Sequence, residues 1–359
     1  MKESLREKLR ELTSLSGVSG REGPVVRYLR DKLSRLADRV EVDSMGNVLA
    51  YKAGKRVGPT VMIAAHSDEI GAMVRSIEPN GFIRFQKVGG TLDPLLPARK
   101  VRIRGHLGII GVKAGHLMSE SERKTVKPAS ELYIDMGVNS DQAVAELGIE
   151  VGDPIIIQSE LEFFADNDRF CGRAIDNRLG CSVLWQLFED LSSDDLEGTL
   201  VGVWSVQEEV GLKGATVAAH KVKPDLAIAL DTMPSGDTPD VVYHQELAVG
   251  LGQGPVLQVS SGGGGRGLLL NPILERLIRQ AAQSESLPLQ RAVFEGGNTD
   301  ASAIQLVGNG IPAAPLTLPR RYSHSPVEMG DLNDAVNCVR LLKAFLRQAP
   351  RWKDHGFAD

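Results

Sequence analysis

The sequence predicts an α/β protein in which a mixed central β-sheet is flanked by helices and interrupted by a small β-rich domain. Three observations carry that expectation. TVMIAAH, TLVGVWSV and DLAIALD are short unbroken apolar runs, as strands buried on both faces require. Segments with apolar residues three and four positions apart alternate with those runs, which joins the strands through helices. Between about residues 72 and 160 the texture changes to short, Gly-punctuated strands.

Taken in order, Leu5, Leu9 and Leu12 space one amphipathic helix, and Val26, Leu29, Leu33 and Leu36 a second, with Pro24 at its first helical position. RVEVD and VLAYKA flank the turn-like SMGN, and TVMIAAH follows as a core strand that ends in His66. GFIRFQKV, KVRIRG, LGIIGVKA and LYIDMGV then supply the strands of the inserted domain, with a short helix near DQAVAELG. From about Leu161, helices over DNRLGCSVLWQLFEDL, NPILERLIRQAAQSE and DLNDAVNCVRLLKAFLRQ alternate with strands over TLVGVWSV, DLAIALD, LQRAVFE and PAAPLTLP. The catalytic unit is therefore discontinuous, residues 1–71 with 161–359, and 72–160 is the insertion. No repeat of 20 to 50 residues is present, and GGGG at 262–265 is the sole low-complexity tract.

Composition excludes several classes. At 359 residues, 42% hydrophobic and 24% charged, the chain is an ordinary globular protein, long enough for one large and one smaller domain. A net charge of -5 with interspersed signs offers no stripe for nucleic acid and no lysine-rich face for a membrane. The amphipathic, charged N-terminus is not a secretion signal, and no apolar run approaches a membrane span, so a cytoplasmic location is expected. Cys171, Cys181 and Cys338 form no CxxC pair and are odd in number, which excludes a disulfide framework and a thiolate zinc site.

Functional groups of α/β sheets collect at the carboxyl ends of strands. That rule selects His66 after TVMIAAH, Glu208 and Glu209 after TLVGVWSVQ, Asp231 at the end of DLAIALD and His324 beyond PAAPLTLP. Asp176, just before a long helix, completes two imidazoles and three carboxylates at five chain positions, an N/O set for zinc, cobalt or manganese. One catalytic zinc usually takes three protein ligands, so five imply sharing. A carboxylate bridging two divalent ions, with Asp176 as the candidate, gives each ion three ligands and a common water, the arrangement of two-metal hydrolases. Asp68, two residues beyond His66, falls on the same side of an extended segment and is placed to fix the imidazole tautomer. By the same alternation Glu208 and Glu209 point apart, so that one binds metal while the other serves as general base. A lone His-x-Asp or Glu-Glu pair is weak; their joint occurrence at strand ends carries the argument.

HSDEIGAMV, AIDNRLG, WSVQEEVGLKGA, ALDT, EGGNTDASAI and RRYSHSPVE, in that order, resemble the tetrahedral (TET-type) aminopeptidase family, which includes glutamyl and deblocking aminopeptidases. The resemblance spans almost the whole chain, including VGGTLDPLL and HLMSESERK of the insertion. It implies a dinuclear zinc exopeptidase-like fold with metal ligands His66, Asp176, Glu209, Asp231 and His324. It further implies His66 with Asp231 on one ion, Glu209 with His324 on the other, Asp176 bridging, and Glu208 as base on the bridging water. Peptides with a free N-terminus are the implied substrates, and a hollow twelve-subunit tetrahedron built through the inserted domain is the implied homo-oligomer. The crowding at Asp176, with the resemblance, also leads us to expect a cis Asp176–Asn177 peptide.

Rival readings of these residues are a deacylase or carboxypeptidase with the same two-metal chemistry, and a non-catalytic carbohydrate-pathway accessory protein. A glycoside hydrolase is disfavoured, because adjacent Glu208 and Glu209 are poorly placed to flank a glycosidic bond and that reaction needs no histidines. Gly262–Gly265 with Arg266 lacks P-loop spacing and reads as a rim loop. His106, His116, His220, His244 and His355 lack carboxylate partners and read as surface or structural. Gly296 to Asp300 shape a turn at the pocket or a tight strand-to-helix connection.

Overall fold

The computed structural model describes residues 1–354 and 357; His355 lies outside them. Helix α1 (Lys2–Ser14) sinks Leu5, Leu9 and Leu12 into the core, and α2 (Gly23–Leu33), opened by Pro24, buries Val25, Leu29 and Leu33. Val25 rather than Val26 turns fully inward. Strands β1 (Arg39–Val42), β2 (Val48–Ala53) and β3 (Arg56–His66) follow.

The insertion is a closed six-stranded barrel. It contains β4 (Gly71–Ile77), β5 (Ile83–Val88), β6 (Lys100–Ile103), β7 (His106–Ile110), β8 (Ile134–Asp135) and β9 (Pro154–Ile157), ordered β4-β5-β8-β7-β6-β9. Strands β4 and β9 are absent from the sequence reading, and their pairing, Ala72 opposite Ile155, closes the barrel and removes its edges. Two helices, α3 (Glu120–Lys124) and α4 (Asp141–Glu146), start at Ser119 and Ser140, whose hydroxyls accept backbone N–H groups. The barrel has its own core, with Ile83, Val101, Ile103 and Ile134 fully buried.

The chain then returns through β10 (Glu162–Phe163) and β11 (Arg169–Gly172) to α5 (Ile175–Asp190), β12 (Glu197–Ser205), α6 (Lys213–Val222), β13 (Leu226–Pro234) and α7 (Tyr243–Glu246). Next come β14 (Val256–Ser261), β15 (Leu268–Leu269), α8 (Pro272–Ser284), β16 (Gln290–Phe294), α9 (Asp300–Ile304), β17 (Ala313–Arg320), β18 (Glu328–Asp331) and α10 (Leu332–Gln348). A nine-stranded sheet runs β1-β2-β12-β3-β13-β17-β14-β15, with β16 on β14, and β10, β11 and β18 form a small second sheet.

The central strands β12, β3, β13 and β17 are mutually parallel. Their carboxyl ends therefore share one edge, and every residue of β17 and residues 200–205 of β12 are buried. Helices α1, α5 and α10 pack together against α5's contacts with β3 and β13, while α6 and α9 pack together on β3, β12, β13 and β17. Fully buried Trp204, whose indole donates to Cys181 O at 3.2 Å, ties the sheet to α5.

Candidate functional site

The site is built at the shared carboxyl edge. His66 is the last residue of β3 and pairs in register with Ser205, the last of β12. Asp231 lies inside β13, not at its end: β13 continues to Pro234 on β17, but its pairing with β3 stops at Leu230. Asp231 is thus the first residue beyond the β13–β3 pairing, level with His66 at the end of β3, and it lines the cleft. Asp176 sits in the first turn of α5 with non-helical dihedrals, and the Asp176–Asn177 peptide is cis, in line with the sequence expectation. Asn177 is fully buried, donating to Leu230 O at 2.8 Å and accepting from Gly180 N at 3.0 Å.

Glu208 and Glu209 correct the strand-alternation argument. Strand β12 stops at Ser205, and Gln207 takes a left-handed φ of 56°, so the pair lies on a turn where the period of two does not apply. Both side chains reach the same cleft. Asp68, itself fully buried, makes this possible: its Oδ1 accepts Glu208 N at 3.0 Å, and its Oδ2 accepts Glu209 N at 3.2 Å and the Ser19 hydroxyl at 2.6 Å.

The residues named from sequence converge. His66 Nε2 lies 3.1 Å from Asp176 Oδ1, 3.4 Å from Asp231 Oδ1 and 3.9 Å from Glu208 Oε2, while its Nδ1 is 3.4 Å from Asp68 Oδ1. His324 Nε2 lies 3.4 Å from Asp176 Oδ2 and 3.7 Å from Glu209 Oε2. Two triads result, His66–Asp176–Asp231 and Asp176–Glu209–His324, each with ligand atoms within 4.8 Å of one another. Asp176 belongs to both, one oxygen turned to each, and Glu208 belongs to neither.

The charge balance tests whether a cation fits. Burial raises Glu208 well above the usual carboxylate range, with Asp231, Asp300 and Glu209 adding repulsion against the pull of His66. Burial and Asp176 push Glu209 up to about 8, and burial likewise raises Asp231. Asp176 goes the other way: despite burial, Arg320, 2.8 Å from its Oδ2, and the two imidazoles hold it well below that range. His324 is raised to about 9, first by its contact with Asp176. Glu209 Oε1 is buried without a hydrogen-bond partner. Crowded carboxylates, an orphaned carboxylate oxygen and two convergent imidazoles form an oxygen-nitrogen cage deficient in positive charge, which divalent cations fit.

Several contributors escaped the sequence reading. Arg320 also pairs with Glu328, whose Oε2 accepts Asp176 N at 3.0 Å and whose Oε1 accepts His324 N at 2.9 Å. Both lie within RRYSHSPVE, and that motif was the available signal. Asp300, from EGGNTDASAI, reads in sequence only as part of a turn at the pocket; it is buried and accepts the Ser205 hydroxyl at 2.7 Å. Gly90 and Leu92, from VGGTLDPLL of the barrel, line the cleft, and a Cβ at Gly90 would meet His324 Nδ1 at 2.6 Å. By contrast His106, His116, His220 and His244 are exposed and outside the cleft. Gly267, just beyond Gly262–Gly265, leaves room for Asn298 on the cleft wall, since a Cβ there would lie 1.7 Å from Asn298 Oδ1.

Known proteins resemble this chain over most of its length. Residues 46–341 match the model of the family described as M42 glutamyl aminopeptidase. The lysyl aminopeptidase of Pyrococcus furiosus is 32% identical, the alignment covering 95% of this chain and 96% of that protein. The structure of aminopeptidase APDkam598 from the archaeon Desulfurococcus kamchatkensis superposes with a TM-score of 0.92 at 36% identity, over 98% of this chain and 97% of that one. The Pyrococcus horikoshii TET1 peptidase, described as able to assemble into a tetrahedron or a large octahedral shell, superposes with a TM-score of 0.83 at 32% identity, over 95% and 98%.

Proposed function

Since the chain belongs to the M42 glutamyl aminopeptidase family and is a peptide hydrolase, we propose that it removes single residues from peptides with a free N-terminus, using two divalent ions held by its own side chains. The observation that carries this is the shared Asp176, with one oxygen 3.1 Å from His66 Nε2 and the other 3.4 Å from His324 Nε2. His66 and Asp231 would hold one ion, Glu209 and His324 the other, and Asp176 both. Zinc or cobalt suits this ligand set best, with manganese also compatible. Such ions, when bound, supply polarisation of the scissile carbonyl and activation of water near neutral pH.

The protein groups do the rest. Glu208 takes the proton of the attacking water and delivers it to the leaving amine, a role suited to a carboxylate that lies 3.9 Å from His66 Nε2 beside both triads and belongs to neither. Asp68 meets the His66 Nδ1 with its backbone carbonyl at 3.3 Å and its carboxylate at 3.4 Å, and that carboxylate, through the Glu208 and Glu209 amides, fixes the turn that aims both glutamates. It is a positioning residue for the catalytic Glu208. Arg320 and Glu328 brace Asp176 and the His324 backbone from behind.

We assign the barrel to subunit contacts in a homo-oligomer, with a tetrahedral dodecamer as the expected form. Leu107 and Ile109 on β7 leave 47% and 46% of their surfaces exposed, and Leu117 leaves 72%, apolar area that a partner would cover. A cytoplasmic location is consistent with the chain's composition, and no helix among the described residues is long and apolar enough to cross a membrane.

The test is a tripeptide offered with its N-terminus free or acetylated, to protein stripped by a chelator and then reloaded with zinc, cobalt or manganese. Only the free form should be cleaved, only after reloading, with one residue released per turnover. Preferential cleavage of the acetylated form would move the activity to the deacylase class.

A further inference from the structure

The cleft, about 450 Å³ in volume, is lined well beyond the candidate ligands, and that lining decides which first side chain a peptide can bring in. Leu212, Pro234 and Phe294 give it apolar surface, and Thr232 gives a buried hydroxyl with no partner. Gly296 and Gly297, beside Phe294, contribute no side chains and so leave space for a bulky one.

Charge is accounted for. Apart from the two candidate metal-binding imidazoles, Arg320 is the cation in the lining, and it is only 3% exposed and committed to Asp176 at 2.8 Å and to Glu328. Every carboxylate lining the cleft, Asp176, Glu208, Glu209 and Asp231, belongs to the metal and proton-transfer cluster. Among the described residues, then, the lining offers no free cation to a glutamyl side chain and no spare carboxylate to a lysyl one. Desolvating an unpaired charge is strongly unfavourable, whereas each buried methylene favours binding by about fourfold.

We propose that this cleft selects an uncharged apolar first residue, of the leucyl, methionyl or phenylalanyl type, over glutamyl and lysyl residues. The proposal rests on the aminopeptidase reading above. It separates this chain from the glutamyl activity in its family's description and from the lysyl activity that names its Pyrococcus furiosus relative. Phe294, at the end of β16 on the cleft wall, is a principal apolar contact.

The experiment compares kcat/KM of the metal-loaded, full-length protein for leucyl-, methionyl-, phenylalanyl-, glutamyl- and lysyl-peptides that share one second residue. The best apolar substrate should exceed both charged ones by at least about tenfold, in line with the discrimination hydrophobic pockets achieve. Phe294→Arg should lower the leucyl-to-glutamyl ratio by a similar factor while metal content stays at two ions per chain. A glutamyl or lysyl substrate ranked first, equal rates for all five, or an unchanged ratio in Phe294→Arg would overturn the pocket assignment and leave the aminopeptidase reading standing. Cleavage of none of the five would overturn that reading, and this inference with it.

Discussion

The nine-stranded sheet and the inserted barrel both enclose apolar cores, yet they treat charge in opposite ways. At the sheet's carboxyl edge Asp68, Asp176, Glu208, Asp231, Asp300 and Glu328 are all buried, with Arg320, the imidazoles and backbone amides as partial compensation. The barrel keeps an interior of Val74, Ile83, Phe85, Val101, Ile103 and Ile134, and its buried acid Asp153 is met by Arg104, whose Nε lies 2.9 Å from both oxygens. Burying carboxylates side by side costs stability. Its concentration at one edge marks where the molecule gives up stability for chemistry.

That contrast is broken most severely by separating the two adjacent glutamates. Glu208→Gln is expected to lower kcat by roughly 10²–10⁴-fold while both ions remain, because a proton-transfer group is lost and no ligand is. Glu209→Gln is expected to lose one ion, with partial recovery of activity in excess metal. Elemental analysis beside kcat decides the matter; a Glu208→Gln protein that sheds metal, or turns over normally, would reverse the two roles.

A smaller effect tests whether the barrel is chemically neutral. In Gly90→Ala the new methyl would lie 2.6 Å from His324 Nδ1, so the ring must shift. Metal affinity at that triad should fall about 10–100-fold, the range seen when groups that orient a ligand are altered. Isothermal titration of the stripped protein measures this. Uptake equal to wild type would mean that the barrel merely adjoins the cleft.

The smallest effect lies away from the cleft, where α10 buries Asp334. Its carboxylate accepts Gly252 N and Gly254 N, each at 2.7 Å, yet burial raises its pKa from 3.8 to about 7. The folded state then holds more protons than the unfolded chain between about pH 4 and 7, so this group's contribution to stability declines as pH rises through that window. Asp334→Asn should flatten the decline with kcat unchanged, shifting Tm at pH 7.5 relative to pH 5 by a few degrees, at about 1–2 °C per kcal/mol for a chain this size. Parallel Tm–pH curves for the two proteins would show that buried acids outside the cleft cost nothing.

The sheet and the side chains gathered at its edge were legible in the sequence because physics writes them locally. TVMIAAH must be covered on both faces, and a polar residue closing such a run, His66, has to lie at an edge. The turn carrying Glu208 and Glu209 was misread, because the residue that breaks the strand, Gln207, adopts a left-handed conformation without being glycine. Strand β9 was hidden because PIII gives an unbroken apolar run with no alternation to mark its barrel face. Arg320 and Glu328 meet each other inside RRYSHSPVE but reach Asp176 from far along the chain, and nothing beside Gly90 in sequence announces that it will abut His324.

The pairing of His66 with Ser205 has a consequence for how the protein is made. The Ser67 hydroxyl meets Ser205 O across 138 positions, whereas every strand of the barrel lies within 71–157. As the chain leaves the ribosome, the barrel's partners are all present while β3 still waits for its neighbours on both sides. The proposed ligand set is complete only once His324 has emerged, long after the barrel's last strand. A chain stopped after the barrel would contain all of that barrel's strands yet lack Asp176, Glu209, Asp231 and His324, four of the five residues proposed to hold the ions.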